Sequence, residues 1–474
     1  MPAAVKLNRR FKVAILLCAL FLVQVVYISK HRFGLNLFKY AADPQPTTSA
    51  TIDLLNRTLQ LTKLDNTLFT VERFRDEVEC RKWSRTTQSR LKKPKNGRST
   101  PRVPRGWISS ARRTTSGCKA IRDVFSFPGR AFSVEEAEFP LAYGMLVHKE
   151  PTQVFFLLSA IYQPQNQFCL AVDDGASKEF KEKMDLLDEC FPNIHVKYVN
   201  KIEWCGFSIV RAVYGCVKYL SALQSDWKYF QYLSGVDLPL RTNLEMVRIF
   251  KQLNGSFNAE VAKFQNDRLK EQREKPPVPL WKSSLSATFS RESADFMVRD
   301  EKVHAVYEYL SKTYCPDESF WTTIAGNPKG NANINLVQSD PNGEGKAQIT
   351  SEDNETTTDS PPDERKMKAP DNYYISRHQT WSFGGDICNG KFVAASCAYG
   401  VKDLRDLLVQ PALVAHKLYF DVQPAAYFCL YETVRRRALL GEDSDFDARA
   451  YSKLPGPRIL AGDSIQDVRF QRIQ

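Results

Sequence analysis

The chain has 474 residues, of which 43% are hydrophobic, 12% aromatic and 25% charged, and its formal net charge is +12. This length fits one large α/β domain with appendages, or two domains, and excludes a small module. The composition is that of a globular protein and excludes a mostly disordered, collagen-like or multi-spanning chain.

An uncharged run of 17 residues, Val13 to Ser29, follows a basic N-terminus. It predicts a single transmembrane signal anchor, with residues 1–12 as a cytoplasmic tail and the remainder in a lumen. A cleaved signal peptide is the alternative, although the residues after the run are bulky and basic. Eleven cysteines agree with an oxidising lumen. Three sequons predict N-glycosylation at Asn56, Asn254 and Asn354.

Residues 30–135 show weak apolar periodicity and predict a basic, partly disordered stem. Within the stem, Arg81 to Arg113 contains twelve Lys or Arg residues and no Asp or Glu, a number equal to the whole net charge. Its Pro, Ser and Thr content indicates a solvated linker, and nucleic-acid binding is not expected. Residues 136–440 predict the folded domain, with a disordered insert at residues 331–370, and residues 441–474 a C-terminal tail.

Apolar strands and helices alternate through the first half of this domain. The predicted elements are strand Leu141–His148, helix Thr152–Tyr162, strand Phe168–Val172, helix Ser177–Leu187, strand Ile194–Val199, helix Ser208–Leu223 and strand Lys228–Leu233. This alternation predicts an α/β fold with a mostly parallel sheet and helices on both faces.

Polar or aromatic residues follow the predicted strands at His148, Asp173, Trp204 and Asp237. Ligands of parallel sheets bind beyond the carboxyl ends of the strands, so these side chains are candidates for holding the base and ribose of a nucleotide. Each of them taken alone is equally an ordinary turn or capping residue. No glycine fingerprint follows the first strand, which disfavours a dinucleotide dehydrogenase.

Further along the chain, Tyr314-Cys315-Pro316-Asp317-Glu318 places two carboxylates directly after a proline. The pattern is typical of the acidic first turn of a helix. A carboxylate on a loop at the edge of a pocket also acts as a general base that accepts a proton from a hydroxyl nucleophile. Glu318 is therefore a candidate catalytic residue.

Several short motifs follow one another between Phe139 and Leu440. They are Phe139-Pro140-Leu141-Ala142-Tyr143, Val147-His148, Ala160-Ile161-Tyr162, Cys169 to Asp173, Trp227-Lys228-Tyr229, Gly235-Val236-Asp237-Leu238-Pro239, Thr242-Asn243-Leu244-Glu245 and Pro316-Asp317-Glu318 with Trp321. In these motifs the chain resembles the core-2/I-branching β-1,6-N-acetylglucosaminyltransferases, whose wider group includes peptide O-xylosyltransferases.

The resemblance implies a GT-A-like glycosyltransferase fold with a Rossmann-like nucleotide-binding half, preceded by the membrane anchor and stem, in the Golgi membrane. It also implies inverting transfer of N-acetylglucosamine from UDP-GlcNAc to a hydroxyl of a glycan or glycoprotein acceptor, with no metal or cofactor. The residues it implies are Glu318 as base, His148, Asp173, Trp204 and Lys417 for the donor, and Glu260 and Trp321 for the acceptor.

The sequence departs from the family pattern at the position of a phosphate-binding arginine, where it has Ala394. Lys391 is the nearest basic residue, but on a regular strand it would lie on the opposite face. Losing one of two cations at a diphosphate weakens stabilisation of the leaving group. Two further family positions also differ, since Arg268 replaces a lysine and Glu271 replaces an arginine, which indicates a different acceptor or an ordinary charged surface loop.

The resemblance further implies four disulfides: Cys80–Cys429, Cys118–Cys190, Cys169–Cys216 and Cys388–Cys397. Cys205 and Cys315 have no counterparts. They border the predicted nucleotide pocket and the loop of the predicted base, so a fifth disulfide between them is a hypothesis, with two free buried thiols as the alternative.

Three alternatives to the branching activity stay open at this point. They are a peptide O-xylosyltransferase-like enzyme, a catalytically impaired member of the family that binds glycans or a partner enzyme, and a protein whose basic stem binds acidic glycosaminoglycans. The acceptor and the oligomeric state are not determined by the sequence.

Overall fold

The computed structural model describes residues 57–64, 115–270, 274–325, 373–383 and 387–463. The predicted span at Val13–Ser29 and the predicted insert at residues 331–370 lie outside these ranges. Among the helices within them, none combines the length and the apolar character needed to cross a bilayer.

Within the described ranges, thirteen strands form a central sheet and three small ones. Their bounds are β1 Leu141–Val147, β2 Gln167–Asp173, β3 Ile194–Val199, β4 Tyr229–Ser234, β5 Asp237–Pro239, β6 Asn258–Ala259, β7 Ala262–Lys263, β8 Trp281–Lys282, β9 Ala287–Ser290, β10 His378–Gln379, β11 Lys391–Val393, β12 Ser396–Ala398 and β13 Val414–His416. The central sheet has the order β3-β2-β1-β4-β9-β6.

The helices of the described ranges, besides a helical segment at residues 57–64, are α1 Thr115–Val124, α2 Val134–Ala137, α3 Pro151–Ile161, α4 Lys178–Cys190, α5 Phe207–Ala222, α6 Asn243–Leu253, α7 Arg291–Arg299, α8 Glu301–Leu310, α9 Phe320–Ala325, α10 Leu404–Val409, α11 Pro424–Leu440 and α12 Pro455–Leu460. Side-chain caps begin several of them. The Ser177 hydroxyl accepts from the N–H of Phe180, and Thr242 forms a capping box with Glu245.

The predicted alternation of strands and helices from β1 to β4 is confirmed, with boundaries that differ by at most three residues. Strands β3, β2, β1 and β4 pair in parallel, whereas β9 pairs antiparallel with β4 and β6 antiparallel with β9. Strands β1, β2 and β4 are almost wholly buried, which explains their apolar sequences, whereas the edge strand β3 is mostly half-buried. The carboxyl ends of the parallel strands therefore meet at one edge of the sheet, as expected.

The hydrophobic core extends beyond the predicted domain boundaries of residues 136 and 440. Leu64 and Phe125, from segments expected in the stem, are buried in the main cluster together with Tyr451 and Leu454 of the expected tail. Phe125 packs against Phe155 and Phe156 of α3, and the segment around Tyr451 contacts α6, because apolar side chains need a covered surface. Short stretches on both sides of the predicted domain thus belong to its core.

A three-stranded sheet lies beside the central one, with the order β10-β13-β5. Strand β13 pairs in parallel with β10 and antiparallel with β5, so that His416 lies opposite Asp237. The next hairpin, β11 and β12, is closed by the Cys388–Cys397 disulfide. A Cβ atom at Gly390 would lie 1.9 Å from the carbonyl oxygen of Ala398, so the hairpin base requires glycine there.

The disulfides expected between Cys118 and Cys190 and between Cys169 and Cys216 are present. Cys429 is also disulfide-bonded, and its expected partner Cys80 lies outside the described residues. Of the three sequons, Asn254 is exposed at the C-terminal end of α6, a position accessible to a glycan. Asn56 and Asn354 lie outside the described ranges.

Candidate active site

Glu318 ends a short 3₁₀ helix, Pro316–Glu318, that precedes α9. Its side chain is 35% exposed, and its Oε2 accepts a hydrogen bond of 2.6 Å from the Nη2 of Arg268. The ammonium group of Lys282 lies 3.9 Å from the same oxygen. The backbone carbonyl of Glu318 accepts from the N–H of Ser283 at 2.7 Å. The carboxylate is therefore held in place while part of it stays open to a ligand.

Arg268 anchors the Glu318 loop through several bonds, and it is buried rather than part of a charged surface. Its Nε donates to the side chain of Gln265 at 2.7 Å, and its Nη1 donates to the carbonyl of Cys315 at 3.2 Å. A guanidinium presents its donors in a fixed fork, so these contacts set the direction of the carboxylate. Glu271, the other predicted departure from the family, lies outside the described residues.

Two further carboxyl groups lie near Glu318. Burial raises the pKa of Glu260, although the charges of Lys282 and Arg377 oppose the shift. Burial, together with the negative charge of Glu318, raises the pKa of Asp317 to about 7. Within the described part of the chain, nothing donates to the buried Oδ1 of Asp317. The base thus has a neighbour whose charge changes close to neutral pH.

The disulfide hypothesised between Cys205 and Cys315 is present. The N–H of Cys315 also donates to the carbonyl of Cys205 at 3.1 Å. The bridge joins the loop after β3 to the loop that carries Glu318. Two exposed rings flank it, Trp204 and Tyr314, with centroids 6.4 Å apart in an edge-to-face arrangement.

The residues predicted for the donor occupy several strand ends. His148 follows β1 and Asp173 ends β2, close enough for the carboxylate of Asp173 to act on the pKa of His148, which burial lowers overall. Asp173 also caps its own turn, because its Oδ1 accepts from the N–H of Gly175 at 2.7 Å. Trp204 is 83% exposed and lies against Tyr314, which belongs to the loop that carries Glu318.

Asp237 is buried and bonded on both oxygens. Its Oδ1 accepts from the Nδ1 of His416 at 2.6 Å, and its Oδ2 accepts from the N–H of Ser234 at 2.7 Å. Burial and the nearby charge of Arg377 lower the pKa of His416 to about 4, so the imidazole is neutral at pH 7. Asp237 stays ionised because these bonds and the charge of Arg377 outweigh its burial and lower its pKa.

Lys417 directly follows β13, and its ammonium group donates to the carbonyl of Val393 at 2.8 Å. Val393 ends β11, so this bond brings Lys417 to the turn that contains Ala394. Ala394 and Ala395 both have positive φ, 47° and 60°, which marks a tight two-residue hairpin turn. The position of the expected family arginine therefore borders the lysine amine, whereas Lys391 is exposed at the start of β11.

The interpretation of Trp321 as an acceptor-binding residue needs correction. Its side chain is 1% exposed and packs against Phe289 and Phe320 in the second hydrophobic cluster. The indole N–H donates to the carbonyl of Leu285 at 2.7 Å. The ring faces the core because it lies on the apolar side of α9, so its contribution is to packing.

Arg377 is a charged residue of the site that the sequence analysis missed. Burial raises the pKa of Glu260 and lowers that of Lys417, and the positive charge of Arg377 acts on both groups, lowering each pKa. Its Nη2 donates to the hydroxyl of Ser284 at 2.9 Å. An isolated arginine after the predicted insert belongs to no motif, and only the fold brings it to the site.

No group of three or more His, Cys, Asp or Glu side chains in the described ranges gathers in a way suited to hold a metal ion. The cationic side chains of the site are Lys282, Arg268, Arg377 and Lys417, and they are spread from the base loop to the end of β13. This arrangement suits one hydroxyl nucleophile beside Glu318 and an anionic group beside Lys417.

Comparison with known proteins agrees with this geometry. Residues 141–351 match the protein-family model described as Core-2/I-Branching enzyme. Over 354 residues, 69% of this chain and 76% of the relative, the sequence is 30% identical to beta-1,3-galactosyl-O-glycosyl-glycoprotein beta-1,6-N-acetylglucosaminyltransferase of Homo sapiens. The Bos taurus protein of the same name is 29% identical over 353 residues, 69% of this chain and 76% of that protein. A second Homo sapiens relative, whose name ends in the number 3, is 29% identical over 354 residues, 69% of this chain and 74% of that protein.

Proposed function

Because the chain belongs to the Core-2/I-Branching enzyme family, we propose that it transfers N-acetylglucosamine from UDP-GlcNAc to a glycan hydroxyl in a β-1,6 linkage, without a metal ion. Membership makes it a β-1,6-N-acetylglucosaminyltransferase-like glycosyltransferase. The donor sugar, the linkage and the metal independence are the proposal. The observation that carries it is the Glu318 carboxylate, held by Arg268 at 2.6 Å and still partly open.

In the proposed reaction the acceptor oxygen attacks the anomeric carbon of the donor sugar. Glu318 takes the hydroxyl proton, a new carbon–oxygen bond forms, and the bond to the β-phosphate breaks with its electron pair leaving on UDP. Attack opposite the leaving group inverts the anomeric centre. Arg268 fixes the direction of the base, since misplacement by about 1 Å costs a large factor in rate.

Other residues divide between the two substrates in this proposal. Glu260 binds acceptor hydroxyls through its carboxyl group. It directly follows β6 and lies near Lys282. Lys417 binds the diphosphate and stabilises the charge on the departing UDP. His148 and Asp173, at the ends of β1 and β2, hold the nucleoside, and the exposed Trp204 beside Tyr314 offers an aromatic face at the mouth of the site.

The cellular setting belongs to the same proposal. We place the protein as a single-pass type II protein of the Golgi membrane, with its catalytic domain in the lumen. The support is the apolar run at Val13–Ser29 and the disulfides of the described domain, which are typical of an oxidising compartment. The acceptor is a glycan or glycoprotein.

The test is transfer by the full-length protein in detergent, with UDP-GlcNAc or UDP-xylose and a β-1,3-galactosyl-O-glycosyl acceptor, with and without EDTA. We expect turnover with UDP-GlcNAc that EDTA does not abolish. Exclusive use of UDP-xylose would favour the peptide O-xylosyltransferase alternative. Strict dependence on manganese would refute the metal-independent mechanism.

A variant of the base separates an active enzyme from an impaired relative. Glu318→Gln should reduce transfer by at least about 10²-fold and leave UDP binding nearly unchanged, because the base acts on the acceptor and not on the diphosphate. Glu292→Gln, which alters an exposed carboxylate on α7, is the matched control and should keep wild-type activity. Equal activity of Glu318→Gln and wild type would end the proposal, whereas UDP binding without transfer in wild type would favour a catalytically impaired protein.

A further inference from the structure

A diphosphate leaving group needs more than one positive charge when no metal ion is present. The predicted site offers Lys417, while Ala394 occupies the position where a second cation is expected. Lys417 reaches the turn through its bond to Val393, so the uncharged Ala394 borders the lysine amine. If UDP binds there, another basic group must supply the missing charge.

The strand register places Arg377 next to β13, the strand that Lys417 follows. His378 pairs with Ala415 and Gln379 with His416 in parallel strands, so Arg377 lies beside Val414. Paired residues of neighbouring strands have their side chains on the same face, and alternate residues share a face. Arg377 is thus on the face of the small sheet that carries His416 and, across β5, Asp237.

The bonding of Arg377 leaves its charge available. Its Nη2 donates to Ser284, while its Nε is buried without any acceptor in the described part of the chain. Within that same part, it forms no ion pair with a carboxylate, and both oxygens of the nearby Asp237 are already bonded to His416 and Ser234. The residue as a whole keeps some solvent exposure, although its Nε is buried and the negative charges of Asp237 and Glu260 act on its guanidinium.

The electrostatics of the neighbourhood indicate that positive charges converge. The pKa of Lys417 is lowered by burial and then by the charges of Arg377 and Lys149. Like charges brought together in a partly buried cleft repel one another until an anion binds between them. Arg377 and Lys417 thus form a pair of like charges that suits an anionic ligand.

We propose that Arg377 is the second diphosphate-binding cation of the site and acts with Lys417 on the departing UDP. This inference rests on the proposed use of a UDP-sugar. Arg377 replaces in function the charge that is absent at Ala394, but it approaches from β10 rather than from the β11–β12 turn. The planar guanidinium can donate two hydrogen bonds to neighbouring phosphate oxygens.

The test is calorimetric titration of the full-length protein in detergent with UDP, UMP and uridine. Arg377→Gln should weaken UDP binding by about tenfold or more, UMP binding less, and uridine binding not at all, because only the phosphates contact the guanidinium. Adding Ala394→Arg to this variant should restore UDP binding. The matched control is Lys391→Gln, which removes one exposed charge from β11 and should bind UDP like the wild type.

The outcomes separate this inference from the proposed function. Wild-type protein that binds no UDP would overturn both. If the wild type binds UDP, three results would overturn the role of Arg377 alone. The first is an unchanged UDP affinity in Arg377→Gln, and the second is an equal loss of affinity in that variant for UDP, UMP and uridine. The third is an equal loss of UDP affinity in Lys391→Gln. If Arg377→Gln does not fold, Arg377→Lys decides, because a point charge in place of the fork should weaken UDP binding by about threefold or more and leave uridine binding unchanged. Unchanged UDP affinity in that variant would overturn the inference.

Discussion

Asp317 makes the stability of the domain depend on pH in a way that can be measured. Its carboxyl is 8% exposed, and burial followed by the charge of Glu318 raises its pKa from 3.8 to about 7. Between these two values the folded protein keeps a proton that the unfolded chain loses. The free energy of unfolding therefore falls as the pH rises from about 4 to about 7, and Asp317→Asn removes this dependence because the amide cannot ionise.

The magnitude follows from the two pKa values. The pKa of Asp317 is 3.8 in the unfolded chain and about 7 in the folded protein. The free energy of unfolding of the wild type therefore falls by roughly 2 to 3 kcal/mol between pH 5 and pH 8. The free energy of unfolding of Asp317→Asn, relative to that of the wild type, should therefore rise by about that amount when the pH is raised from 5 to 8. The size of the side chain is nearly unchanged, so a packing defect contributes equally at both pH values.

Urea denaturation of full-length wild type and Asp317→Asn at pH 5 and pH 8 measures the difference. Asp267→Asn, at an exposed carboxylate of the 3₁₀ helix Asn266–Leu269, is the matched control and should follow the wild type at both pH values. If the gap in stability between Asp317→Asn and wild type is the same at pH 5 and pH 8, Asp317 does not titrate in this window and the argument is refuted.

Three further variants probe the base and its surroundings. Arg268→Met should lower kcat by about tenfold or more, since the Glu318 carboxylate loses the bond that sets its direction; a wild-type kcat in steady-state kinetics would contradict this. Trp321→Phe should cost about 2 kcal/mol of stability through a lost hydrogen bond and a small cavity, and a raised acceptor KM in an otherwise stable variant would restore its role in binding. Cys315→Ser, which opens the bridge to Cys205, should lower stability by about 2 to 4 kcal/mol and reduce transfer, and equal denaturation midpoints would show that the bridge contributes nothing.

The parallel half of the fold follows from the sequence because each element there is coded locally. Strand β3 matches its predicted bounds of Ile194 and Val199, since a short run rich in β-branched residues between turn residues favours an extended conformation. The base also follows from local sequence, because Pro316 and the two carboxylates after it form one short turn. Contacts made within a few residues can be inferred without knowing the rest of the chain.

Tertiary structure alone decided which charges and rings meet. Arg268 is 50 residues from Glu318 in the sequence, and His416 is 179 residues from Asp237, yet each pair is joined by a hydrogen bond of 2.6 Å. No periodicity encodes such pairings, because they depend on how separate loops and strands pack. The same holds for Trp321, whose aromatic ring suits either a sugar or a core until the direction of α9 sets it in the core. Arg377, too, gains a role only from the register of β10 against β13.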